Sequence, residues 1–343
     1  FGPFRKEVPD TFFRAETVNP HSTNNKEKVV MTNEAKKQNQ QTVNRRQLLS
    51  AGAIGAAGLA ALGVNTAAAA ESTPPPPVGT KLRTNSKTGI RTAIVTDTQL
   101  SIGPHLAREF ARRKYNLVIA DVKEGLPEEL RKLGASDVLV VSGIEQDGPN
   151  NEGRPGVHQK IVDAAMKKFG GFDSVFIRTA WHGGKNILEE TPENMKLSYE
   201  QNFMAHFYAL QAVLPPLIKG GGGQVVIQTS GTGEKPHPGI VSYSTMKAAA
   251  NMLGRCAALE VADKNVTVNV VGTNFINYPG FKHTLGADTD PKIMEALLEE
   301  IPVGRLGEAR EAAHFTMSLL DGYNMFTTGN FFPIAGGFNN SGM

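Results

Sequence analysis

The sequence predicts an α/β fold: a single doubly wound domain with a parallel sheet of about seven strands. After about residue 90, short runs rich in Val and Ile recur along the chain, and amphipathic helical patterns separate them. Uninterrupted apolar runs are typical of parallel strands that are buried on both faces. Right-handed crossovers through the intervening helices then place any site at the carboxyl ends of the strands. We find no internal repeat and expect one domain over residues 91–343.

The individual elements follow from these patterns. The strand candidates are RTAIVTD at 91–97, NLVIAD at 116–121, DVLVVSG at 137–143, DSVFIR at 173–178, QVVIQTS at 224–230, VTVNVV at 266–271 and the C-terminal NFFPIAGG. The helix candidates are 102–113, 156–169, 192–218, 243–262 and 307–320. Pro215 and Pro216 predict the end of the third helix, because proline lacks an amide hydrogen. Gly220 to Gly223 follow a helix and precede a strand, which predicts a turn; a phosphate-binding loop has the opposite order.

The first 90 residues lack the pattern of a folded domain. Residues 1–30 are polar and indicate disorder or an upstream extension, and a coherent pattern begins at Met31, which we expect to be the start. Residues 31–70 combine the pair Arg45-Arg46, a small-residue apolar stretch and an Ala-x-Ala exit at Ala68 to Ala70. This order is similar to a twin-arginine export signal and predicts a periplasmic or exported protein.

The export prediction has one alternative, and a linker is predicted to follow the signal. The apolar stretch is nearly long enough to span a membrane, so a retained anchor is the alternative; its weak hydrophobicity and the Ala-x-Ala exit favour cleavage without stable membrane insertion. Residues 71–90, which contain Pro74 to Pro77, predict a semi-rigid Pro-rich linker.

Composition narrows the function classes. The net charge is +3 with both signs interspersed, which gives no support to a nucleic-acid partner. The single cysteine, Cys256, excludes an intrachain disulfide, and its apolar helical surroundings predict a small buried core residue.

Trp181 and His182 follow the fourth strand and predict a loop, and no other His or Cys supports a metal site. His237, before the fourth helix, is a candidate for lining a small-molecule pocket.

Three residues form the candidate catalytic group. Ser230 ends the fifth strand, Tyr243 follows thirteen residues later, and Lys247 lies one helical turn after Tyr243 on the same face. A phenol with a pKa of about 10 is a poor acid or base at neutral pH. A neighbouring ammonium favours the phenolate, so we expect Lys247 to lower the pKa of Tyr243. The Ser230 hydroxyl can then bind a substrate oxygen.

The segment YSTMKAAANMLGRCAALEVADKNVTVNVV, the run IPVGRLGEAREAAHFTMSLL and the ending TGNFFPIAGG resemble the classical short-chain dehydrogenase/reductases over about residues 90–340. The resemblance implies a Rossmann-type domain acting on a small alcohol or ketone with a nicotinamide cofactor. It implies that Ser230 polarises a carbonyl, that Tyr243 transfers a proton, and that Lys247 also binds the nicotinamide ribose. Asn202 matches the family's proton-relay residue. A homotetramer or homodimer and a substrate lid at residues 277–305 are implied as well.

The cofactor loop departs from the family pattern Thr-Gly-x-x-x-Gly-x-Gly, because the sequence here is TDTQLSIG. Thr96, Ile102 and Gly103 are the matching cofactor-binding candidates, whereas Asp97 and Ser101 replace two glycines. Those glycines allow a close approach to the pyrophosphate. An inward Asp97 carboxylate would repel phosphate, and an outward one could cap the following helix.

The remaining cofactor-binding candidates are Asp121, Thr273 and Asn274. Asp121 ends the second strand, where an acid holds the ribose hydroxyls and disfavours a 2′-phosphate, so NAD is expected over NADP. Two further motifs differ from the family: residues 177–180 replace Asn-Asn-Ala-Gly, and residues 272–276 replace the Pro-Gly after the sixth strand.

These departures leave two alternatives open. The segments TAIVTDTQLSIG, VGTNFINYPGF and IAGGF are also similar to the halohydrin dehalogenases, cofactor-independent lyases on the same fold that use Ser, Tyr and Arg. Lys247 stands where those enzymes have Arg, and the two side chains are not interchangeable. The second alternative is a non-catalytic Rossmann-like binding protein.

Overall fold

The computed structural model describes residues 82–120, 124–144, 155–179 and 183–340, and these lie within one compact unit. The predicted signal and most of the predicted linker lie outside the described residues. Asp121, Trp181 and His182 lie outside them as well, so their predictions stay predictions.

A parallel sheet of seven strands forms the centre of the domain, in the order β3-β2-β1-β4-β5-β6-β9, which confirms the predicted fold class. The strands are β1 (Thr92–Val95), β2 (Asn116–Ala120), β3 (Asp137–Val141), β4 (Ser174–Ile177), β5 (Gly223–Thr229), β6 (Val266–Thr273) and β9 (Phe331–Ile334). The short strands β7 (Ile276–Asn277) and β8 (Gly307–Glu308) pair separately. The helices are α1 (Gly103–Arg112), α2 (Leu126–Lys132), α3 (Val157–Phe169), α4 (Pro192–Tyr199), α5 (Ala205–Gly220), α6 (Val241–Val261), α7 (Phe281–Thr284), α8 (Pro291–Glu300) and α9 (Ala309–Ser318).

Hydrophobic side chains are buried on both faces of the sheet. Ala93 and Val95 of β1 pack in a cluster with residues of α1 and α9, whereas Ile94 packs in a second cluster with residues of α3 and α5. Successive strand residues point to opposite faces, so an uninterrupted apolar run is what a doubly covered strand requires. The sheet order reverses between β1 and β4, which brings the loops after these strands together at the carboxyl edge.

The predicted helix 192–218 consists of α4, a π-helical segment Glu200–Met204 and α5. The prediction that Pro215 and Pro216 end it is wrong, since α5 continues to Gly220. Leu217, in the turn after the prolines, is fully buried in the core, so packing outweighs the lost backbone hydrogen bonds. The helix ends instead at Gly221, whose φ of 95° suits glycine. The predicted glycine turn into β5 is confirmed.

Cys256 contradicts its prediction, because it is exposed. The buried residues of this part of α6 include Gly254 and Ala258, two positions to either side of Cys256. A separation of two residues turns a helix by about 200°, so the cysteine faces away from the sheet.

Residues 82–90 are bound to the amino ends of the strands. The Asn85 side chain donates hydrogen bonds to the carbonyls of Phe172 and Gly222, both at 2.8 Å. The Asn85 amide donates to Asp173 at 2.7 Å, and Arg83 donates to the Gly221 carbonyl at 2.6 Å. Across the described part of the chain, no helix combines the length and hydropathy that a membrane span requires.

Candidate active site

Helix α6 carries Tyr243 and Lys247 side by side. The Lys247 ammonium lies 5.4 Å from the centre of the Tyr243 ring, within the range of a cation–π contact. Lys247 is only 4% exposed, and Tyr243 is half-buried at the start of the helix. Gly254, three turns further on, allows the helix to lie against the sheet, since a Cβ there would be 2.5 Å from Val270 and 2.9 Å from Ile227.

Ser230 faces Tyr243 from the carboxyl end of β5. It is the N-cap of a 3-10 turn, Gly231–Gly233, where its Oγ accepts a hydrogen bond from the Thr232 amide at 3.2 Å. The Ser230 hydroxyl is hydrogen-bonded to the Tyr243 side chain and also lies 2.9 Å from Asn274 Oδ1. A hydroxyl has one hydrogen to donate. A neutral Tyr243 can therefore donate to Ser230 while Ser230 donates to Asn274, and an ionised Tyr243 would draw the serine hydrogen to itself.

The pKa of Tyr243 is set by burial. Desolvation of its hydroxyl raises the pKa from 10.0 to about 12, and a second phenol, Tyr278, acts in the same direction. The Ser230 hydrogen bond and the Arg178 guanidinium act against this increase. The expected net lowering of the phenol pKa is therefore wrong, because desolvation of the buried hydroxyl outweighs the groups that favour the phenolate.

Asn202 lies in the π-helical segment and is fully buried. Its side chain donates to Ser198 at 3.0 Å, and its backbone carbonyl is 3.2 Å from Nδ1 of His206. The other ring nitrogen of His206 is 3.0 Å from the Gln228 carbonyl. Burial and the charge of Lys247 lower the pKa of His206 to about 3, so the imidazole is neutral. A neutral imidazole has one N–H, so His206 donates a hydrogen bond to only one of these two carbonyls.

The cofactor candidates at the first turn have different environments. Thr96 joins β1 to β4, because its hydroxyl donates to the Arg178 carbonyl at 3.0 Å. Ile102 is a core residue with no exposed surface, so only its backbone is available to a ligand. At Gly103 a Cβ would lie 1.7 Å from the Asp97 carbonyl, so this position requires glycine. Ser101 has a φ of 54°, a conformation that glycine adopts more easily.

The Asp97 carboxylate folds back onto its own loop and does not cap α1, whose N-cap is Ile102. Its Oδ1 accepts hydrogen bonds from the backbone amides of Gln99 at 2.7 Å and Leu100 at 3.3 Å. Its Oδ2 forms an ion pair with the Arg178 guanidinium at the end of β4. Asp97 is 1% exposed, so its charge is neutralised within the protein. In the sequence, Asp97 and Arg178 were noted only as departures from the family pattern, and their ion pair was not predicted. The ends of adjacent strands lie close together, so their positions could have suggested it.

Thr273 and Asn274 lie where β6 ends, beside Ser230. The Gln228 side chain donates to Thr273 Oγ1 and to Ser101 Oγ, both at 3.0 Å, which links the loops after β1 and β6. Asn274 is 9% exposed, and its Nδ2 has no hydrogen-bond partner within the described residues. The structure thus brings Thr273, Asn274, Ser230 and Tyr243 to one edge of the sheet.

A cleft of about 460 Å³ opens at the N-terminus of α1. It is lined by the loop after β1, the first turns of α1 and α2 and the start of the predicted lid, which contribute Thr98, Ser101, His105, Leu126 and Tyr278 among others. The predicted lid itself contains β7, α7 and α8. His237 is exposed and lies 3.7 Å from Glu300 at the end of α8, so the loop before Tyr243 contacts the lid.

Three residues of the site were not predicted to be functional from the sequence: Arg178, His206 and Tyr278. His206 follows Asn202 by one helical turn, a spacing that could have identified it. Tyr278 belongs to a segment with no regular pattern, so no signal placed it beside Tyr243. In the part of the chain that the structure describes, no group of three or more His, Cys, Asp or Glu side chains could hold a metal.

A doubly wound parallel sheet with polar side chains grouped at its carboxyl edge defines an α/β enzyme of the Rossmann type. The family profile described as Enoyl-(Acyl carrier protein) reductase matches residues 97–339. The chain belongs to the short-chain dehydrogenase/reductase family, and it is an enzyme of that family. This leaves no support for a non-catalytic binding protein.

Characterised relatives extend over the same region. The chain is 26% identical over 253 residues to the 2,5-dichloro-2,5-cyclohexadiene-1,4-diol dehydrogenase of Sphingobium indicum, covering 73% of this chain and 96% of that protein. It is 25% identical over 249 residues to the 7alpha-hydroxysteroid dehydrogenase of Escherichia coli, covering 71% and 92%. The fold is similar to levodione reductase, with a TM-score of 0.66, 22% identity and coverage of 75% and 99%. It is also similar to a Brucella melitensis 3-oxoacyl-[acyl-carrier protein] reductase in complex with NAD, with a TM-score of 0.65, 23% identity and coverage of 74% and 99%.

The residues present fit a dinucleotide. The N-terminus of α1 has no side-chain cap and lies at the edge of the cleft, where helix amides and the helix dipole favour a phosphate. Gly103 keeps the tight turn that the family pattern requires. Asp97 would oppose an anion, but its carboxylate is paired with Arg178.

Proposed function

We propose that this protein is an NAD(P)-dependent oxidoreductase that interconverts a small alcohol and the corresponding ketone. The observation that carries the proposal is the contact of Ser230 with the Tyr243 hydroxyl while the Lys247 ammonium packs over the same ring. These three groups can hold a carbonyl oxygen, transfer a proton to it and stabilise the charge that remains.

Each residue has a separate task in this reaction. The bound nicotinamide supplies or accepts the hydride. Ser230 donates a hydrogen bond to the substrate oxygen, and Tyr243 transfers the proton to or from it. Lys247 stabilises the phenolate that forms and binds the ribose. Asn202 passes the proton onward through water.

The proposal extends to the cofactor and its site. Thr96, Ile102, Gly103, Thr273 and Asn274 would surround the nucleotide, with contacts from Ile102 restricted to its backbone. Asp121 would accept hydrogen bonds from the adenosine ribose and repel a 2′-phosphate, which favours NAD over NADP. Asp121→Ser should reduce the preference for NADH over NADPH. An unchanged preference would remove Asp121 from this role.

Binding and turnover test the proposal together. NADH or NADPH should raise the unfolding temperature of the full-length protein, and activity should appear in a panel of small alcohols and ketones. Tyr243→Phe should lower that activity by about 10²- to 10⁴-fold without preventing nucleotide binding. Tyr199→Phe is the control, because Tyr199 is exposed on α4. The absence of any stabilisation by either nucleotide at millimolar concentration would overturn the proposal.

A second candidate is the dehalogenase type of lyase, and one observation favours it. The Arg178 guanidinium is close enough to lower the pKa of Tyr243, so an arginine does act on the tyrosine, although from β4 and not from α6. This reaction would release halide from a vicinal halohydrin without nucleotide, through Ser230 and Tyr243. Halide release that is lost in Tyr243→Phe and increased in Lys247→Arg would support it.

We further propose export through the signal at residues 31–70 and assembly as a homotetramer or homodimer. The adjacent Arg45 and Arg46 support the first part, and replacing both with lysine should retain the protein in the cytoplasm of an expressing cell. The family resemblance supports the second part, and light scattering of the purified enzyme measures it.

A further inference from the structure

Asp97 and Arg178 occupy the ends of two adjacent strands at the point where the sheet order reverses. Val95 of β1 is paired with Phe176 of β4, so two residues further on Asp97 and Arg178 come opposite each other. Their side chains form an ion pair, in which the Asp97 side chain is 2% exposed and the Arg178 side chain is 14% exposed. This pair lies beside the loop that begins the cofactor cleft.

The position of the Asp97 carboxylate is unfavourable for an anionic ligand unless its charge is compensated. A buried carboxylate requires a cationic or hydrogen-bonding partner, and removal of that partner leaves an uncompensated charge in the interior. The amides of Gln99 and Leu100 already donate to Oδ1, so the guanidinium at Oδ2 supplies the opposite charge. Asp97 does not have a positive φ, so its backbone does not require glycine.

We infer that Arg178 is a positioning residue for the dinucleotide: it holds the Asp97 carboxylate against its own loop and cancels its charge. A first turn without a glycine at position 97 then still accepts a pyrophosphate at the N-terminus of α1. The two departures from the family pattern therefore form one compensated change. This inference rests on the proposed function, because it concerns the binding of the same nucleotide.

Nucleotide affinity of a set of variants tests the inference. Arg178→Asn leaves Asp97 unpaired and should weaken NADH binding by at least about tenfold, because an uncompensated carboxylate repels the pyrophosphate. Asp97→Gly in the Arg178→Asn background removes that charge and should restore the affinity to within about threefold of the original protein. Asp97→Asn in the same background keeps the shape of the side chain, so recovery there assigns the effect to charge. Affinities are measured by calorimetry on the full-length protein.

Controls separate this role from a structural one. Arg112→Asn removes an exposed arginine that pairs with Glu109 on α1, and it should leave the affinity unchanged. Unfolding midpoints without nucleotide show whether each variant is folded. If Arg178→Asn does not fold, Arg178→Lys replaces it; this variant keeps the charge but not the planar geometry, and a smaller loss of affinity is then expected.

Each failure has its own signature. Unchanged NADH affinity in Arg178→Asn, or no recovery in the double variants, overturns the inference and leaves the proposed function intact. If neither the original protein nor any variant binds NADH or NADPH, the proposed function fails. If only the double variants bind, Asp97 blocks the site despite its partner, and both proposals are overturned.

Discussion

The high pKa of Tyr243 in the nucleotide-free protein leads to a direct titration experiment. Burial of the hydroxyl raises the pKa by two units, from 10.0 to about 12, which corresponds to about 2.7 kcal/mol in favour of the neutral phenol. The phenolate fraction at this site should be about 0.1% at pH 9 and about 10% at pH 11. The ordinary tyrosine value would give about 10% at pH 9.

Ultraviolet absorbance of tyrosinate measures this difference. The spectrum of the Tyr243→Phe variant is subtracted from that of the original protein at each pH between 8 and about 11. The subtraction removes the signal of the other tyrosines, and the remaining signal should stay near zero until the pH exceeds about 10. Subtraction of the Tyr199→Phe spectrum, which removes an exposed phenol, should give a different curve.

Ser230→Ala tests how the Ser230 hydrogen bond affects the pKa of Tyr243. The Ser230 hydrogen bond lowers the pKa of Tyr243, so its loss should move the titration to higher pH. Addition of NADH then reports what the nucleotide contributes to the acidity of the phenol. A Tyr243 signal that develops below pH 9 in the nucleotide-free protein would refute the conclusion that burial outweighs the neighbouring charges.

Three further predictions concern stability. Gly254→Ala should destabilise the protein by about 1–2 kcal/mol, because the added methyl would lie 2.5 Å from the Val270 side chain of β6 and this crowding exceeds the gain in helix propensity. Urea unfolding measures the change in stability, and Met252→Ala on the exposed face of α6 is the control. Burial lowers the pKa of His206 to about 3, so stability should fall as the pH drops below about 6.5, by up to about 1.4 kcal/mol per unit, because the unfolded chain binds the proton first. The buried His158, whose pKa is lowered by burial to about 4, adds a pH dependence of the same sign. His206→Leu should therefore reduce the slope between pH 7 and 5 by about half, and an unchanged slope would contradict a buried neutral imidazole at position 206. Asn85→Ala should lower the unfolding free energy by about 1–3 kcal/mol, since two buried carbonyls lose their donor; a wild-type denaturation curve would show that these contacts contribute nothing.

The sequence predicted the elements whose patterns are strongest. The seven sheet strands are short, largely apolar stretches, and each was placed within three residues at either end. The residues of β1, β2, β4 and β5 are all buried, as strands covered on both faces require. Ser230, Tyr243 and Lys247 were predicted to lie together, and they do, because strand and helix periodicity determine which side chains share an edge or a face.

Tertiary contacts explain what the sequence did not predict. Pro215 and Pro216 signal a helix end locally, yet the core holds α5 in place beyond them. Cys256 has apolar neighbours in sequence, but the helical angle relative to Gly254 decides its exposure. The pKa of Tyr243 depends on the burial of its hydroxyl, which no spacing of residues reveals.

The hydrogen bonds of Arg83 and Asn85 determine where the polypeptide enters the domain. They attach it at the amino ends of the strands, on the side of the sheet remote from Ser230 and Tyr243. An affinity tag or fusion partner placed upstream of Arg83 would therefore be attached at the edge of the sheet opposite the catalytic residues. Chains shortened to begin just before Arg83 should accordingly keep the turnover of the full-length protein.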